Sequence, residues 1–332
     1  MLVPVLNEAR HIQASVATMT AQRFDGTIEI LLVDGGSTDG TRPLLERLAA
    51  ADSRLWVLEN PAGTIPAALN IGLRHARGAF VARMDAHTWY PPDYVALGVD
   101  RLRRGGADWV AGPAIPLGDG RWSRRVARAL TLALGQGGSR KWRQTPGAGE
   151  EWELDEGVFT GVWRRETLEA LGGWDEAFPV GEDSEMAVRV LSRGGRIVCL
   201  PAMGARYSPR DSLSGLFRQY WRFGRVRARM AARHPDALRK SHVASAALVV
   251  SLGGLVLPAV RRQTAVAFLG YALLVGATTA REARELPLRE RAGVTAALMA
   301  MHVGWGGGFV AGCMGERPPW SAMARALRRR GR

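Results

Sequence analysis

Cysteine is almost absent from this sequence, which has only Cys199 and Cys313 among its 332 residues. The two form no Cys-x-x-Cys pair and are too few for a disulfide framework, so a disulfide-stapled fold is excluded and a reducing compartment is favoured. The N-terminus lacks the basic, apolar and small-residue pattern of a signal peptide. Residues 1–8 instead enter a predicted strand almost at once.

Acidic residues are scarce in one part of the chain. Residues 1–200 carry 23 Lys and Arg against 25 Asp and Glu, whereas residues 201–332 carry 22 against 6. The net charge of +14 therefore comes from the C-terminal part. This asymmetry argues against a protein coated for nucleic acid. It predicts a near-neutral globular domain followed by a basic segment that faces an anionic partner.

A Gly-x-Gly-x-x-Gly sequence is also missing after the first predicted strand, which excludes an NAD-binding Rossmann domain. Strand-like and helix-like stretches nevertheless alternate over residues 1–115. The strand over 28–34 is continuously apolar, as expected when helices cover both faces of a sheet. This order predicts an α/β fold with a mostly parallel sheet and helices on both faces. Ligands of such sheets bind beyond the C-terminal ends of the strands.

The C-terminal part contains one basic segment and three long uncharged runs. Residues 212–234 predict a basic amphipathic helix or helix pair, and the runs cover 243–260, 263–280 and 292–315. Each of the first two runs would measure roughly 27 Å as a helix, close to the thickness of a hydrocarbon core of about 30 Å. We therefore predict membrane association, the alternative being a buried helical subdomain of a soluble protein.

The charges between these runs conflict with three full crossings. The positive-inside rule places the Arg261–Arg262 turn, the Arg-rich segment 281–291 and the basic tail 325–332 on the cytoplasmic side together with the globular domain. Three crossings cannot satisfy all of these positions. We therefore expect at least one run to be re-entrant or interfacial.

Asp34 ends the apolar run "ILLVD" and precedes the turn "GGSTDGT". A carboxylate there can accept a hydrogen bond from a nucleobase N–H or a ribose hydroxyl, and small residues such as Gly36 let a ligand approach the backbone. An ordinary N-cap at a strand–helix junction would look the same.

Asp85 and His87 follow the strand-like segment "AFVARM". Alternate residues of an extended chain project to one side, so the carboxylate and the imidazole can hold a divalent ion together. Such an ion would leave positions open for diphosphate oxygens and would stabilise a departing nucleoside diphosphate. Many strands end in Asp without any such role.

Two further segments carry candidate residues. The segment "GEDSE" places Glu182, Asp183 and Glu185 at a predicted helix start, where acids are common. Crowding would raise the pKa of one of them, and a carboxylate in a cleft could act as a general base. The segment "QYWRF" places Gln219 and Arg222 on one helix face, where Arg222 could clamp a diphosphate or simply belong to a basic interfacial helix.

In their order and spacing, "PVLNE", "VDGGSTDGT", "RMDAH", "GEDSE" and "QYWRF" resemble the inverting family 2 glycosyltransferases with a GT-A fold. The Asp-x-Asp of that family is here Asp85-x-His87, its base motif matches Glu182–Asp183, and Phe223 replaces the Trp of its Gln-x-x-Arg-Trp. More narrowly, "YPPDYV", "GVWRRE" and "YWRFGRVRAR" look like the ExoA-like glucosyltransferases of succinoglycan biosynthesis. The resemblance covers about residues 1–235.

The resemblance implies a role for each matching residue. The residues implied to contact the nucleotide-sugar donor are Pro4, Leu6, Glu8, Asp34, Gly36, Arg83, Asp85, Gln219 and Arg222. The resemblance also implies Asp183 as the catalytic base, Asp85 and His87 as ligands of Mg²⁺ or Mn²⁺, and Glu182 and Trp163 as residues on the acceptor side. A histidine ligand makes metal binding sensitive to pH because only the neutral imidazole ligates.

The reaction implied is inverting transfer of a hexose, with UDP-glucose as the expected donor, to a lipid-linked polyprenyl diphosphate saccharide. This would occur at the cytoplasmic face of the bacterial inner membrane, in exopolysaccharide or cell-surface glycan synthesis. The implied domains are a GT-A catalytic domain at 1–211, basic interfacial helices at 212–240 that meet anionic lipids, and membrane-associated helices with a basic tail at 241–332. The loop at 135–156 is expected to shape acceptor choice.

Two other functions remain open. A polyprenyl-phosphate glycosyltransferase would use an acceptor that is already anionic and needs no base. A non-catalytic scaffold would bind the nucleotide sugar without turnover.

Overall fold

The computed structural model describes residues 1–142, 149–315 and 318–328. The chain divides into two compact units, the first formed by Met1–Ile115 and Lys141–Tyr207 and the second by Pro116–Arg140 and Ser208–Arg332. The predicted catalytic domain, 1–211, differs from the first unit because it includes residues 116–140. Residues 143–148 of the predicted acceptor loop and 329–332 of the basic tail lie outside the described residues.

The secondary structure follows the alternation predicted for the N-terminal part and is helical after residue 212. The strands are β1 (Leu2–Val5), β2 (Ile30–Asp34), β3 (Leu55–Glu59), β4 (Phe80–Arg83), β5 (Thr88–Trp89), β6 (Trp109–Ala111), β7 (Ala114–Pro116), β8 (Trp152–Leu154), β9 (Gly161–Arg164), β10 (Ile197–Cys199) and β11 (Ala205–Tyr207). The helices are α1 (Ile12–Thr20), α2 (Thr41–Ala51), α3 (Ile65–His75), α4 (Tyr94–Arg103), α5 (Arg121–Thr131), α6 (Ala133–Gln136), α7 (Arg165–Ala170), α8 (Glu182–Ser192), α9 (Leu213–Arg233), α10 (Lys240–Leu252), α11 (Arg261–Glu282), α12 (Leu288–Gly315) and α13 (Trp320–Arg328).

The large sheet of the first unit has the strand order β3-β2-β1-β4-β9-β6-β10-β8. Neighbouring strands among β1 to β4 pair in parallel, whereas β9 runs antiparallel to both β4 and β6. Two apolar clusters cover its two faces, and every residue of β2 is buried. The sheet is therefore mostly parallel and enclosed by helices, as predicted.

The strand-like segment "DWVAGPAI", residues 108–115, is divided between two sheets. β6 belongs to the large sheet and β7 to a small sheet of order β5-β11-β7. The break falls at Gly112, where an added Cβ would overlap the carbonyl of Met203. Glycine followed by proline ends the pairing there and redirects the chain.

Parallel pairing brings three strand ends together at one edge of the large sheet. β1 lies between β2 and β4, and the register pairs Val5 with Asp34 and Leu2 with Arg83. The segments after Val5, Asp34 and Arg83 therefore leave the sheet side by side. This edge is where α/β sheets bind their ligands.

In the second unit, α9 is one continuous helix capped by Ser212, whose Oγ accepts from Gly215 N. It packs along α12 through glycines: a Cβ at Gly308 would overlap the carbonyl of Trp221, and one at Gly304 would lie 2.9 Å from the carbonyl of Phe217. Because Gly304, Gly308 and Gly312 are four residues apart, they lie on one face of α12 and let the two backbones approach closely.

The three uncharged runs have different structures. The first ends its α-helix at Leu252 and continues as a 3₁₀ turn, so it is shorter than the 18 residues predicted to be helical. α11 and α12 are long and apolar enough to cross a membrane. The share buried within the protein differs greatly between them, at 11% for the apolar window of α11 and 56% for that of α12.

Candidate active site

The site is built on three loops that leave the ends of β1, β2 and β4. Backbone groups of the first loop bond to side chains of the second: Asn7 N donates to Ser37 Oγ at 2.9 Å, and Glu8 N donates to Thr41 Oγ1 at 2.8 Å. In return, the Asn7 side chain accepts from Thr38 N at 2.8 Å. Asn7 adopts a positive φ of 56°, which asparagine tolerates better than most residues. The two loops are therefore tied into one rigid rim.

Asp34 lies at the end of β2 and is only 4% exposed. Its carboxylate accepts from Ser37 Oγ at 2.6 Å, and Arg42 lies 3.9 Å away. The structure thus gives Asp34 a part in ordering the loop that follows β2. Gly36, two residues on, has a φ of 84°, and a Cβ added to it would meet no atom within 4 Å, so the backbone there is open to a ligand.

The apolar wall beside this turn comes from Leu6, which is 45% exposed at the end of β1. A Cβ at Gly35 would lie 3.5 Å from Leu6 Cδ1 and 3.3 Å from the Cα of Gly63. Pro4 lies within β1, paired with Val33. An exposed leucine beside two closely packed glycine backbones is suited to the flat face of a nucleobase. Gly63 was not predicted as part of this wall.

The backbone of Asp85 is held from two sides. Its N–H donates to Tyr90 Oη at 2.6 Å, and its carbonyl accepts from Ser15 Oγ at 3.3 Å. Its carboxylate accepts from Arg83, with Nε–Oδ1 at 3.0 Å and Nη2–Oδ2 at 3.4 Å. Ser15 and Tyr90 were not predicted as site residues. The sequence signal for Ser15 is a polar residue at a position of α1 that the apolar pattern marks as buried.

Arg83 connects Asp85 to Glu182, whose Oε1 lies 2.8 Å from Arg83 Nη2. Arg83 is 2% exposed and Glu182 5%, so this is a buried network. Burial raises the pKa of Glu182 to about 7, the positive charge of Arg83 lowering it and the charge of Asp183 raising it. Burial lowers the pKa of Arg83, but the carboxylates of Asp85 and Glu182 outweigh that effect and raise it overall. The prediction that crowding raises the pKa of one of these acids therefore applies to Glu182.

Asp183 follows in the first turn of α8 and is half-buried, whereas Glu185 is buried and paired with Arg189 at 2.7 Å. Gly157 packs against this turn, since a Cβ there would overlap the Asp183 carbonyl. A glycine at 157 thus lets a neighbouring loop support the backbone of Asp183. The structure brings Asp183 to the same buried acid–arginine network as Asp85.

His87 contacts Glu8 of the first loop, with Nδ1 and Oε1 3.0 Å apart. The histidine side chain is 40% exposed. Among the described residues, no group of three or more His, Cys, Asp or Glu side chains is arranged to hold a metal. Asp85 and His87 therefore offer one carboxylate and one imidazole, a donor set that suits a cation sharing its coordination with diphosphate oxygens rather than one enclosed by protein.

Trp163, predicted on the acceptor side, is instead a core residue with 1% exposure. It lies in β9 with its ring 4.7 Å from that of Trp109 and 5.9 Å from that of Trp174. Both faces of β9 are covered, so Val162 and Trp163 are buried on opposite sides of the strand. Glu182, also predicted there, is buried against Arg83.

Three partly exposed aromatic residues form a cluster beside the segment at Gly157, which packs against the first turn of α8. The Tyr207 ring is 5.3 Å from that of Phe159 and 6.0 Å from that of Trp142. Lys141 Nζ donates to the carbonyl of Gly157 at 3.3 Å, which ties this aromatic cluster to the loop that supports Asp183. Trp142 belongs to the loop 135–156 that was expected to shape acceptor choice, whereas Phe159 and Tyr207 were not predicted, because they belong to no motif.

Gln219 and Arg222 belong to α9, in the second unit. Arg222 is exposed and Gln219 half-buried. Their contact with a donor stays a prediction.

The fold is the GT-A glycosyltransferase fold, and the chain belongs to glycosyl transferase family 2, whose sequence profile matches residues 1–169. It is 32% identical over 319 residues to succinoglycan biosynthesis protein ExoA of Rhizobium meliloti (strain 1021), with 93% of each chain covered. It is 28% identical over 221 residues to succinoglycan biosynthesis protein ExoO of that organism, covering 65% of this chain and 62% of the relative.

Among solved structures, the mannosyltransferase PcManGT from Pyrobaculum calidifontis in complex with GDP-Man and Mn²⁺ has a TM-score of 0.54 and 24% identity. The similarity covers 91% of this chain and 85% of that one. The resemblance and the fold predicted from the sequence are confirmed.

Proposed function

We propose that this protein transfers glucose from UDP-glucose, with inversion, to a hydroxyl of a lipid-linked polyprenyl diphosphate saccharide in bacterial exopolysaccharide synthesis. The proposal is supported by the convergence of the three strand-end loops with Asp183 around one buried acid–arginine network. The polysaccharide role is supported by the similarity to ExoA, which extends over 93% of the chain.

In this proposal the donor lies along the edge formed by the three loops. The uracil ring packs on Leu6 beside Gly35, and the ribose and diphosphate pass the open backbone at Gly36 towards Asp85. Asp85 and His87 would hold a Mg²⁺ or Mn²⁺ ion. Such an ion supplies positive charge that stabilises the leaving UDP.

Asp183 takes the proton from the acceptor hydroxyl, whose oxygen attacks the anomeric carbon from the face opposite UDP. The bond from that carbon to the UDP oxygen breaks as the new glycosidic bond forms, so the configuration is inverted. Gly157 supports the backbone of Asp183, and Arg83 holds Asp85 and Glu182 in place. The Trp142–Phe159–Tyr207 cluster is the surface on which we place the acceptor sugar, since aromatic faces pack well on the apolar side of sugar rings.

The test is UDP release by detergent-solubilised protein, screened over UDP-sugars with Mn²⁺ or Mg²⁺ and a membrane lipid extract. We expect UDP-glucose and lipid to be required together. Asp183→Asn should lower kcat by about 10²–10⁴, the range expected for loss of a general base, and leave UDP binding intact. Glu166→Gln is the matched control, because it changes an exposed acid in the first turn of another helix, α7.

Each other outcome contradicts one part of the proposal. Full turnover by Asp183→Asn would remove the base assignment and favour a phosphate acceptor. UDP binding without release, across all donors and extracts, would favour a non-catalytic scaffold.

A further inference from the structure

The most apolar long helix of the second unit is enclosed by other helices. Between Gly293 and Cys313, no position of α12 is exposed. α5, α9, α10 and α11 pack against it. The contacts are close on several sides, since a Cβ at Gly306 would overlap the carbonyl of Ser245 in α10. A helix whose residues are all buried or half-buried against other helices has protein contacts that account for much of its apolar sequence.

The helix that packs most extensively on α12 carries a row of arginines on its outer side. Arg218, Arg222, Arg225 and Arg229 of α9 are spaced by four, three and four residues, which places them on one face. The first three are exposed. This row spans residues 218–229 of α9, so the outer side of α9 offers no uncharged surface as long as a bilayer is thick.

A contact near the middle of α11 fixes the position of α11 relative to these arginines, and therefore how deep the arginines would lie if α11 crossed a bilayer. The hydroxyl of Tyr271, the eleventh residue of α11, lies 2.8 Å from His302 Nδ1 of α12. Gly304, two residues after His302, contacts the carbonyl of Phe217 in α9. If α11 crossed the bilayer, its middle would lie at the centre, and Arg218 would be held near the same depth. A charged side chain is very costly there.

The outer side of α11 is apolar and has no partner among the described residues. Val266, Leu269 and Leu273 recur at helical spacing and are 65%, 58% and 65% exposed. The apolar surface continues onto the 3₁₀ turn before α11, where Val256 is 82% exposed and Leu257 55%. An exposed apolar surface of this extent marks an interaction site.

Arginines bracket this apolar surface at both ends. Arg261 and Arg262 begin α11, and Arg281 and Arg284 lie at its end, all of them exposed. The helix of 22 residues between these ends is about 33 Å long. A helix with an apolar side and basic ends is complementary to an anionic lipid surface when it lies flat, because both ends then meet headgroups of one leaflet.

From this geometry we infer that α11 lies in the plane of the membrane interface, with its Val266–Leu269–Leu273 side in the acyl region of one leaflet, and that neither α11 nor α12 crosses the bilayer. The inference rests on the lipid-linked acceptor of the proposed function and specifies the form of the membrane association predicted from the sequence. α12 is then the core helix of the second unit, and the α9 arginines remain in water or among headgroups. The chain is attached to one leaflet only.

The test is the sidedness of the two ends of α11. Arg262→Cys and Arg284→Cys are each labelled with a membrane-impermeant maleimide in spheroplasts and in inverted membrane vesicles. The parent chain, with its buried Cys199 and half-buried Cys313, gives the background. We expect both new cysteines to react in inverted vesicles and neither to react in spheroplasts. After detergent is added, each cysteine should be labelled to the same extent in the spheroplast sample as in the inverted vesicles.

A crossing helix gives a different pattern. If one of the two cysteines reacts only in spheroplasts and the other only in inverted vesicles, α11 crosses the bilayer and the inference is overturned. Recovery of the parent chain in the soluble fraction would overturn both the inference and the membrane part of the proposed function. UDP release, read separately, would leave the transferase assignment standing in either case.

A second experiment tests the apolar side itself by flotation with vesicles. The double variant Leu269→Glu/Leu273→Glu should lose at least tenfold in binding to phosphatidylglycerol–phosphatidylethanolamine vesicles. Leu117→Glu is the matched control, since Leu117 is a 52% exposed leucine outside α11 and should leave binding unchanged. Equal binding by the double variant and the parent would contradict the inference.

Discussion

Arg83 is the residue on which the polar side of the site depends. It is buried, and its guanidinium bonds to Asp85 and also lies 2.8 Å from Glu182. Three acids are near this one cation, because the charge of Asp183 also acts on it. Burial and the nearby charge of Asp183 therefore raise the pKa of Glu182 to about 7. Proton uptake by Glu182 is then a property of the folded protein that stability measurements can detect.

We predict that Glu182→Gln removes a pH dependence of stability. Because the pKa of Glu182 is about 7 in the folded protein and ordinarily 4.5, the folded state binds this proton more tightly than the unfolded state. The stabilising effect is complete below about pH 4.5 and is lost as the pH rises through about 7. The Tm of wild type minus the Tm of Glu182→Gln should therefore fall between pH 5 and pH 8, measured in one detergent at constant ionic strength. A difference that is constant over this range would contradict the raised pKa.

Gly157→Ala should lower kcat without weakening UDP binding. The added methyl overlaps the Asp183 carbonyl, so the first turn of α8 must shift. A displacement of about 1 Å in a catalytic group can cost as much as 10²-fold in rate. The nucleotide contacts that we propose at β1 and β2 involve other loops, so calorimetric UDP affinity should match that of wild type. A variant with unchanged kcat would show that the turn tolerates the methyl or that Asp183 is not the base.

At the scale of elements, the glycines of α12 decide how the second unit packs. Glycine in a helix interior costs about 1 kcal/mol relative to alanine, so a helix this rich in glycine needs a compensating contact. That contact is with α9, whose backbone lies against Gly304, Gly308 and Gly312. α12 is therefore stable as a helix only together with α9.

Gly308→Ala and Gly276→Ala should change stability in opposite directions. A Cβ at Gly308 would overlap the carbonyl of Trp221, and overpacking of this kind costs about 1–3 kcal/mol. Gly276 in α11 has no atom within 4 Å of a Cβ position, so alanine there should stabilise by up to about 1 kcal/mol. The paired measurement is Tm in one detergent. An unchanged or higher Tm for Gly308→Ala would contradict this packing of α9 on α12, and a lower Tm for Gly276→Ala would contradict the open space at Gly276.

The sequence predicted the strands and the residues at their ends, but it did not predict which elements pack against one another. Asp34 and Asp85 were predicted at the C-terminal ends of strands because apolar runs stop there, and β2 and β4 lie on either side of β1. Trp163 was misplaced because β9 lies between β4 and β6 inside the sheet, where both of its faces are covered, and no local pattern encodes those neighbours. Hydropathy is the same whether a helix meets lipid or other helices, so it did not show that the run at 292–315 packs along α9. Its glycine spacing was the available signal.

At the scale of the whole molecule, the chain enters the second unit, returns to the first and enters the second again. α5 is thereby separated in sequence from the helix it packs on, α12. Arg125 of α5 is 5% exposed and bonds to Glu290, with Nε–Oε2 at 2.8 Å, and Gly293 leaves room for its side chain. The buried side of α5 also includes Val126, Ala129 and Leu130. The catalytic domain as predicted, 1–211, therefore contains a helix whose partner lies beyond residue 280.

This arrangement predicts how the chain can be divided. A fragment of residues 1–211 exposes the buried side of α5 and leaves Arg125 without Glu290, so we expect it to aggregate. The same fragment with residues 117–140 replaced by a Gly-Ser linker lacks that surface and should remain soluble, unfold cooperatively and bind UDP. Soluble yield, size-exclusion profile and calorimetric UDP affinity measure the difference, with the full-length chain as the reference. If the 1–211 fragment is as soluble and monomeric as the linker version, α5 does not depend on α12, and residues 116–140 belong with the first unit instead.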